Sequence, residues 1–200
     1  MSALVRLSTA VALASLLAAT PAAALTLVFE GPFLPEGGPG ATGTGDATVT
    51  FDTDLLTMRV EATWSGTSGT TTASHIHCCT VSQGVGNAGV ATQLPSFSGF
   101  PLGVTGGTYD QLFDMNLASS WNPTYVTNNG GTTTSAFNAL VAGLTDDRGY
   151  LNIHTNTFTG GEIRARLALV PEPATALMLG IGTALLARHR RARASVERAR

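Results

Sequence analysis

Polar and apolar residues alternate with a period of two along several short stretches, the mark of half-buried β-strands. In residues 56–63, Leu56, Met58, Val60 and Ala62 fall on one face and Thr57, Arg59, Glu61 and Thr63 on the other. Residues 47–51 alternate in the same way, and Asp52-Thr53-Asp54 between the two stretches carries turn chemistry, so the pair reads as an antiparallel hairpin. The two aspartates are also oxygen donors of the kind calcium takes, but an aspartate-bearing turn accounts for them. Residues 25–30, 72–79, 108–117, 149–155 and 162–170 supply further strands, separated by a Gly/Pro loop at 36–45 and a long Gly-rich loop at 81–107. Ser120-Trp121-Asn122-Pro123 reads as the turn that closes a strand. Only residues 135–143 keep helical spacing, with Phe137, Leu140, Val141 and Leu144 on one side and Gly143 placed to end the helix. The predicted class is all-β: an antiparallel β-sandwich or Greek-key barrel with at most one short helix.

Composition agrees: glycine and threonine are frequent, and the chain contains no lysine. Between residues 25 and 170 there are four basic residues, Arg59, Arg148, Arg164 and Arg166, against eleven acidic ones, a balance of −7. An acidic domain without a basic stripe excludes nucleic acid as a partner. Gly38-Pro39-Gly40-Ala41-Thr42-Gly43 and Gly84-Val85-Gly86-Asn87-Ala88-Gly89 both fit G-x-G-x-x-G, yet neither follows a strand and opens a helix, so both are loop glycines. G-x-S-x-G and H-E-x-x-H do not occur, and an enzyme is disfavoured.

The two ends read as targeting segments. Residues 1–24 combine Arg6, an uncharged apolar run at 11–19 and Ala22-Ala23-Ala24, the three parts of a secretory signal peptide. At the other end Pro171-Glu172-Pro173 precedes an uncharged run at 174–187 and a basic cluster of Arg188, His189, Arg190, Arg191 and Arg193. As a helix that run would reach ~21 Å, short of a ~30 Å hydrocarbon core. Motif, apolar helix and arginines together resemble the PEP-CTERM sorting signal of Gram-negative bacteria. The resemblance implies an exosortase-type processing partner and membrane contact through the C-terminal helix before processing. It further implies delivery to the outer envelope, cell surface or extracellular matrix. A plain C-terminal membrane anchor is the alternative, and either places the domain, residues 25–170, outside the cytoplasm.

The candidate chemistry lies in two strands. Three of the four histidines, His75, His77 and His154, and both cysteines, Cys78 and Cys79, fall in them. Alternation puts His75, His77 and Cys79 on one face of the first strand, and Tyr150, Asn152 and His154 on one face of the second. A hairpin with Asn152 across from Arg164 and His154 across from Glu162 adds the last strand to the same polar face. Three converging imidazoles would hold zinc or copper, with Glu162 orienting a ring from behind. The alternative is that the rings make ordinary hydrogen bonds. Cys78 and Cys79 can close a tight vicinal disulfide in an oxidising compartment, or Cys79 can serve as a soft ligand. The His-x-His strand with a later histidine is also similar in spacing, without a motif match, to the copper site of copper–zinc superoxide dismutases.

Ser74-His75-Ile76-His77, Asn152-Ile153-His154-Thr155 and Gly160-Gly161-Glu162-Ile163-Arg164, in that order, resemble the CHRD domain over about residues 45–169. The resemblance implies an all-β module of exported proteins, without catalytic residues, acting in binding or structure. Cys78 stands where a glycine usually follows His-x-His, and Ala165 where one often follows Glu-Ile-Arg, which marks a subgroup with its own turn. The expected function is therefore a non-catalytic structural or binding module whose partners are matrix polysaccharide or envelope proteins. The alternative is a copper or zinc protein using the three histidines, redox-active if copper.

Overall fold

The computed structural model describes residues 25–171. The signal segment, Glu172 and Pro173 of the sorting motif, and the apolar helix expected behind them lie outside the described residues.

The alternating stretches pair into one antiparallel sheet. Its strands are β1 (Thr26–Pro35), β2 (Thr44–Asp52), β3 (Thr57–Ser65), β4 (Thr71–Cys78), β5 (Gly107–Asp114), β6 (Gly149–Thr155), β7 (Ile163–Arg166) and β8 (Ala168–Val170). They run in the order β4-β6-β7-β1-β2-β3-β5, with β8 extending the β7 side of β1. The fold is thus all-β and antiparallel as expected, with a single curled sheet that takes the barrel-like form of that class. The loop from residue 79 to 106 shows the curl, because it touches both edge strands. Its Phe97 N–H donates to Ser74 of β4, while the Phe97 ring packs on Phe113 of β5 at 5.3 Å. The loop thereby covers the outer ladder of β4, while on β5 it packs against the inward face only.

Even parity holds along the hairpin β2–β3: Val49 opposes Val60 and Phe51 opposes Met58, all buried. The inward face runs through Met58, Val60, Ala62 and Trp64, and Leu56, half-buried, packs against its end as the alternation suggests. Leu56 sits in the turn at φ 52°, where Asp52 Oδ1 accepts the N–H groups of Asp54 and Leu55. The turn thus keeps Leu56 against the core, and Asp52 is spent on the backbone.

Two α-helices are present among the described residues, one more than expected: α1 (Pro123–Asn128) and α2 (Thr133–Thr145), with a 3₁₀ turn at Ala118–Ser120. Asn122-Pro123, read as a turn, is also a helix start. Asn122 caps Thr124 N–H, and Pro123 occupies the first turn, where its missing donor costs nothing. α2 opens two residues before the expected range on a capping box between Thr132 and Ser135. Its Phe137 packs edge-on to Phe51 at 5.6 Å, and Phe51 packs so on Phe29 at 5.8 Å, pinning the helix to β1 and β2. Each such pair adds about 0.5–1.5 kcal/mol beyond area burial. Gly143 does not end α2. It lies inside the helix, where the absent side chain admits the Cys78–Cys79 disulfide.

Two substitutions test this framework. Alanine for an exposed helical glycine stabilises by about 1 kcal/mol, but a Cβ at Gly143 would enter both sulfurs. Gly143→Ala is therefore expected to lower the urea midpoint by an amount equivalent to about 1–3 kcal/mol, and a rise would contradict the packing. Glu162 is fully buried, and its carboxylate accepts from Thr42 N–H, Ser68 N–H and Oγ, Gly69 N–H and Thr155 Oγ1. Burial pushes its pKa up, but the donors from Thr155, Ser68 and Thr42 outweigh that and hold it at about 2. Glu162→Gln, which turns an amide donor toward these donors, is expected to cost about 3 kcal/mol in chemical unfolding. The Glu162 contribution in the wild type should be complete above about pH 4.5 and fade as pH falls toward 2.

Candidate metal centre

β4 is flanked by β6, not by its sequence neighbours, with His75 opposite Asn152 and His77 opposite Tyr150. β7 continues the sheet with Asn152 opposite Arg164, the partner pair expected from parity. Residues 74–78 of β4 and nearly all of β6 are buried on both faces. Ile76, Leu151 and Ile153 fill the core side, and His75, His77, Tyr150, Asn152 and His154 the other, beneath the loops at 79–106 and 156–161.

The three histidines meet there. One nitrogen from each of His75, His77 and His154 lies within 4.8 Å of the other two. The remaining nitrogen of each ring faces a backbone carbonyl: His75 Nε2 to Pro95 at 2.7 Å, His77 Nδ1 to Ala88 at 2.9 Å, and His154 Nδ1 to Thr159 at 2.8 Å. A carbonyl only accepts, so these nitrogens carry the proton, and in neutral rings the converging nitrogens are bare. His75 Nδ1 and His154 Nε2 then stand 3.3 Å apart as two lone pairs, and His77 Nε2 is buried with no partner. Burial lowers the pKa of His75 and of His77 to about 4, against the pull of the Pro95 and Ala88 carbonyls. Both rings are therefore neutral at pH 7.

This donor set fits a late transition ion. Ligands of a tetrahedral zinc at ~2.05 Å stand about 3.4 Å apart, close to the His75–His154 spacing, and the third nitrogen lies within about 1.5 Å of that distance. Imidazole nitrogen suits zinc and copper alike. Fixing each outer N–H on an acceptor is how proteins orient metal-bound histidines, and here neutral carbonyls do it in place of a carboxylate.

A model of the CHRD domain matches residues 22–167, which take in every strand from β1 to β7. The chain belongs to the CHRD-domain family. Neither curated proteins nor solved structures give a match to it. Within this CHRD domain the three quoted motifs become β4, β6 and the entry to β7, so the sequence motifs coincide with the strands that carry the site.

Glu162 is not where parity placed it. Gly161, at φ 122°, turns the chain before β7, the ladder ends at Ile153–Ile163, and the Glu162 side chain runs to Thr42, Ser68, Gly69 and Thr155, away from the imidazoles. It orients no ring. Arg164 pairs with Glu36, and Asn152 Nδ2 donates to Glu36 Oε1 at 2.9 Å, so both brace the site's flank. Cys78 and Cys79 form the vicinal disulfide, with Cys79 Sγ 3.9 Å from the Tyr125 hydroxyl, and neither sulfur joins the histidine group. Pro171 follows β8 and takes no part. Unforeseen in sequence were Tyr150, whose ring stacks on His77 at 4.9 Å, and the carbonyls of Ala88, Pro95 and Thr159. Alternation alone places Tyr150 on the face of His154, but carbonyls leave no residue-specific signal.

The folded pKa of about 4 for His75 and His77 lies below the ordinary 6.5, so the unfolded chain takes up protons first. Thermal unfolding of the metal-free protein is expected to shift steadily downward as pH falls from about 6.5 to about 4. His75→Ala/His77→Ala should flatten that slope, and an unchanged slope would remove the two rings as its cause.

Proposed function

We propose that the chain is an exported binding module whose bound species is a single copper or zinc ion, held by His75, His77 and His154. The observation that carries this reading is the convergence of three bare ring nitrogens whose opposite nitrogens are each committed to a carbonyl. His77 Nε2 is buried and has no partner among the protein's own atoms, which supports its availability to an ion. Membership of the CHRD family supports a non-catalytic role in an exported protein, and the signal segment and Pro171-Glu172-Pro173 support passage across the inner membrane and exosortase-type sorting. Matrix polysaccharide and envelope proteins are the neighbours such sorting would supply. The ion would lock the loop at 79–106 to the sheet, because that loop provides the Pro95 and Ala88 carbonyls.

Elemental analysis of the purified chain after exposure to micromolar zinc or copper and gel filtration tests the reading. One ion per chain is expected, abolished in His75→Ala/His77→Ala, and with the ion in hundredfold excess over its Kd the melting transition should rise by the equivalent of about 2.7 kcal/mol. Absence of stoichiometric metal in the wild type would sink it.

A further inference from the structure

Of the three ligands, His77 is held from outside the cluster, by a stack that reaches across three strands. Its ring lies flat on Tyr150, centroids 4.9 Å apart and planes within 5°. The Tyr150 hydroxyl accepts the Ala88 N–H at 3.1 Å, and the Ala88 carbonyl accepts from His77 Nδ1 at 2.9 Å. Tyrosine therefore sets both the plane of the imidazole and the acceptor that fixes its tautomer. The opposite face of Tyr150 carries the Arg164 guanidinium, 3.6 Å from the ring centroid. Arg164 also donates to Gly86 O at 2.9 Å and Asn87 Oδ1 at 2.7 Å and pairs with Glu36. Segment 86–88 is thus gripped by β6 and β7 and itself grips a ring from β4. This is the second G-x-G-x-x-G stretch, and Gly84 and Gly86, at φ 66° and 87°, allow the turn that brings Ala88 in.

We propose that Tyr150 is the positioning residue of the metal centre, with Arg164 as the clamp that holds it. It presents His77 Nε2 toward His75 and His154 and keeps the ring from rotating into the hydrogen bonds it lacks. The inference rests on the metal reading above. Groups one layer behind a metal ligand commonly change affinity by about 10–100-fold, the range expected here.

The test measures zinc and copper affinity by dye competition on the whole chain in detergent, with the absorption of a cobalt(II) substitute as the geometric readout. Tyr150→Phe keeps the stack and loses the hydroxyl, and is expected to weaken binding about 10-fold; Tyr150→Leu loses both, about 100-fold, with an altered cobalt spectrum. Tyr109→Phe is the control for lost stability alone, since its hydroxyl donates to Ser98 O at 2.8 Å away from the histidines, and it should leave affinity unchanged. If Tyr150→Leu does not fold, Tyr150→Phe decides. A wild type that binds one ion with Tyr150→Phe within twofold of it overturns the positioning role. A wild type that binds no ion overturns the metal reading on which the role rests.

Discussion

An imidazole buried at both nitrogens needs a partner for each, and backbone carbonyls provide for only one. That constraint governs the polar side of the sheet. Three rings are brought together by strand pairing, and in the neutral form each gives its one N–H to a carbonyl and turns a lone pair toward the other two. Water could satisfy one of them, but a cation satisfies all three at once. The burial that makes the site costly when empty also keeps His75 and His77 unprotonated, which is the form a metal requires.

Charge around the site is arranged to leave that pocket of nitrogen undisturbed. Glu36 neutralises Arg164 and takes the Asn152 amide, while Glu162 is held by five donors from Thr42, Ser68, Gly69 and Thr155. No carboxylate reaches an imidazole among the described residues, so the ligand set stays neutral. A protein that wanted a strongly held dication would often place an acid behind a histidine. Carbonyls give orientation without the added charge.

Much of this was legible in the chain. Alternation located β2, β3, β4 and β6, and parity put His75, His77 and His154 on one face with Asn152 across from Arg164. What alternation could not carry was anything decided by a single backbone angle or by an atom common to all residues. Gly161 redirects Glu162, and the carbonyls that fix the rings come from Ala88, Pro95 and Thr159, whose side chains say nothing of the role. Asn122-Pro123 was ambiguous in kind, since the same pair ends a strand or begins a helix. The curl of the sheet follows from one loop meeting both edges, and such a long-range closure has no local signal.

The loop at 79–106 carries a consequence for how the protein can vary. Connections of this length are ordinarily where chains accept insertions and drift, because their backbone faces water. Here the segment supplies the acceptors for two of three rings, covers the β4 edge of the sheet and seats Phe97 and Phe100 among core aromatics. Its composition of glycine, serine and small residues looks permissive, yet its length and path are set at several points at once. Room for change lies instead at the short turn around Gly38 and Gly40, where an added side chain would point into open space. In this module the longest connection is constrained by its contacts, and the freedom to change lies in a short one.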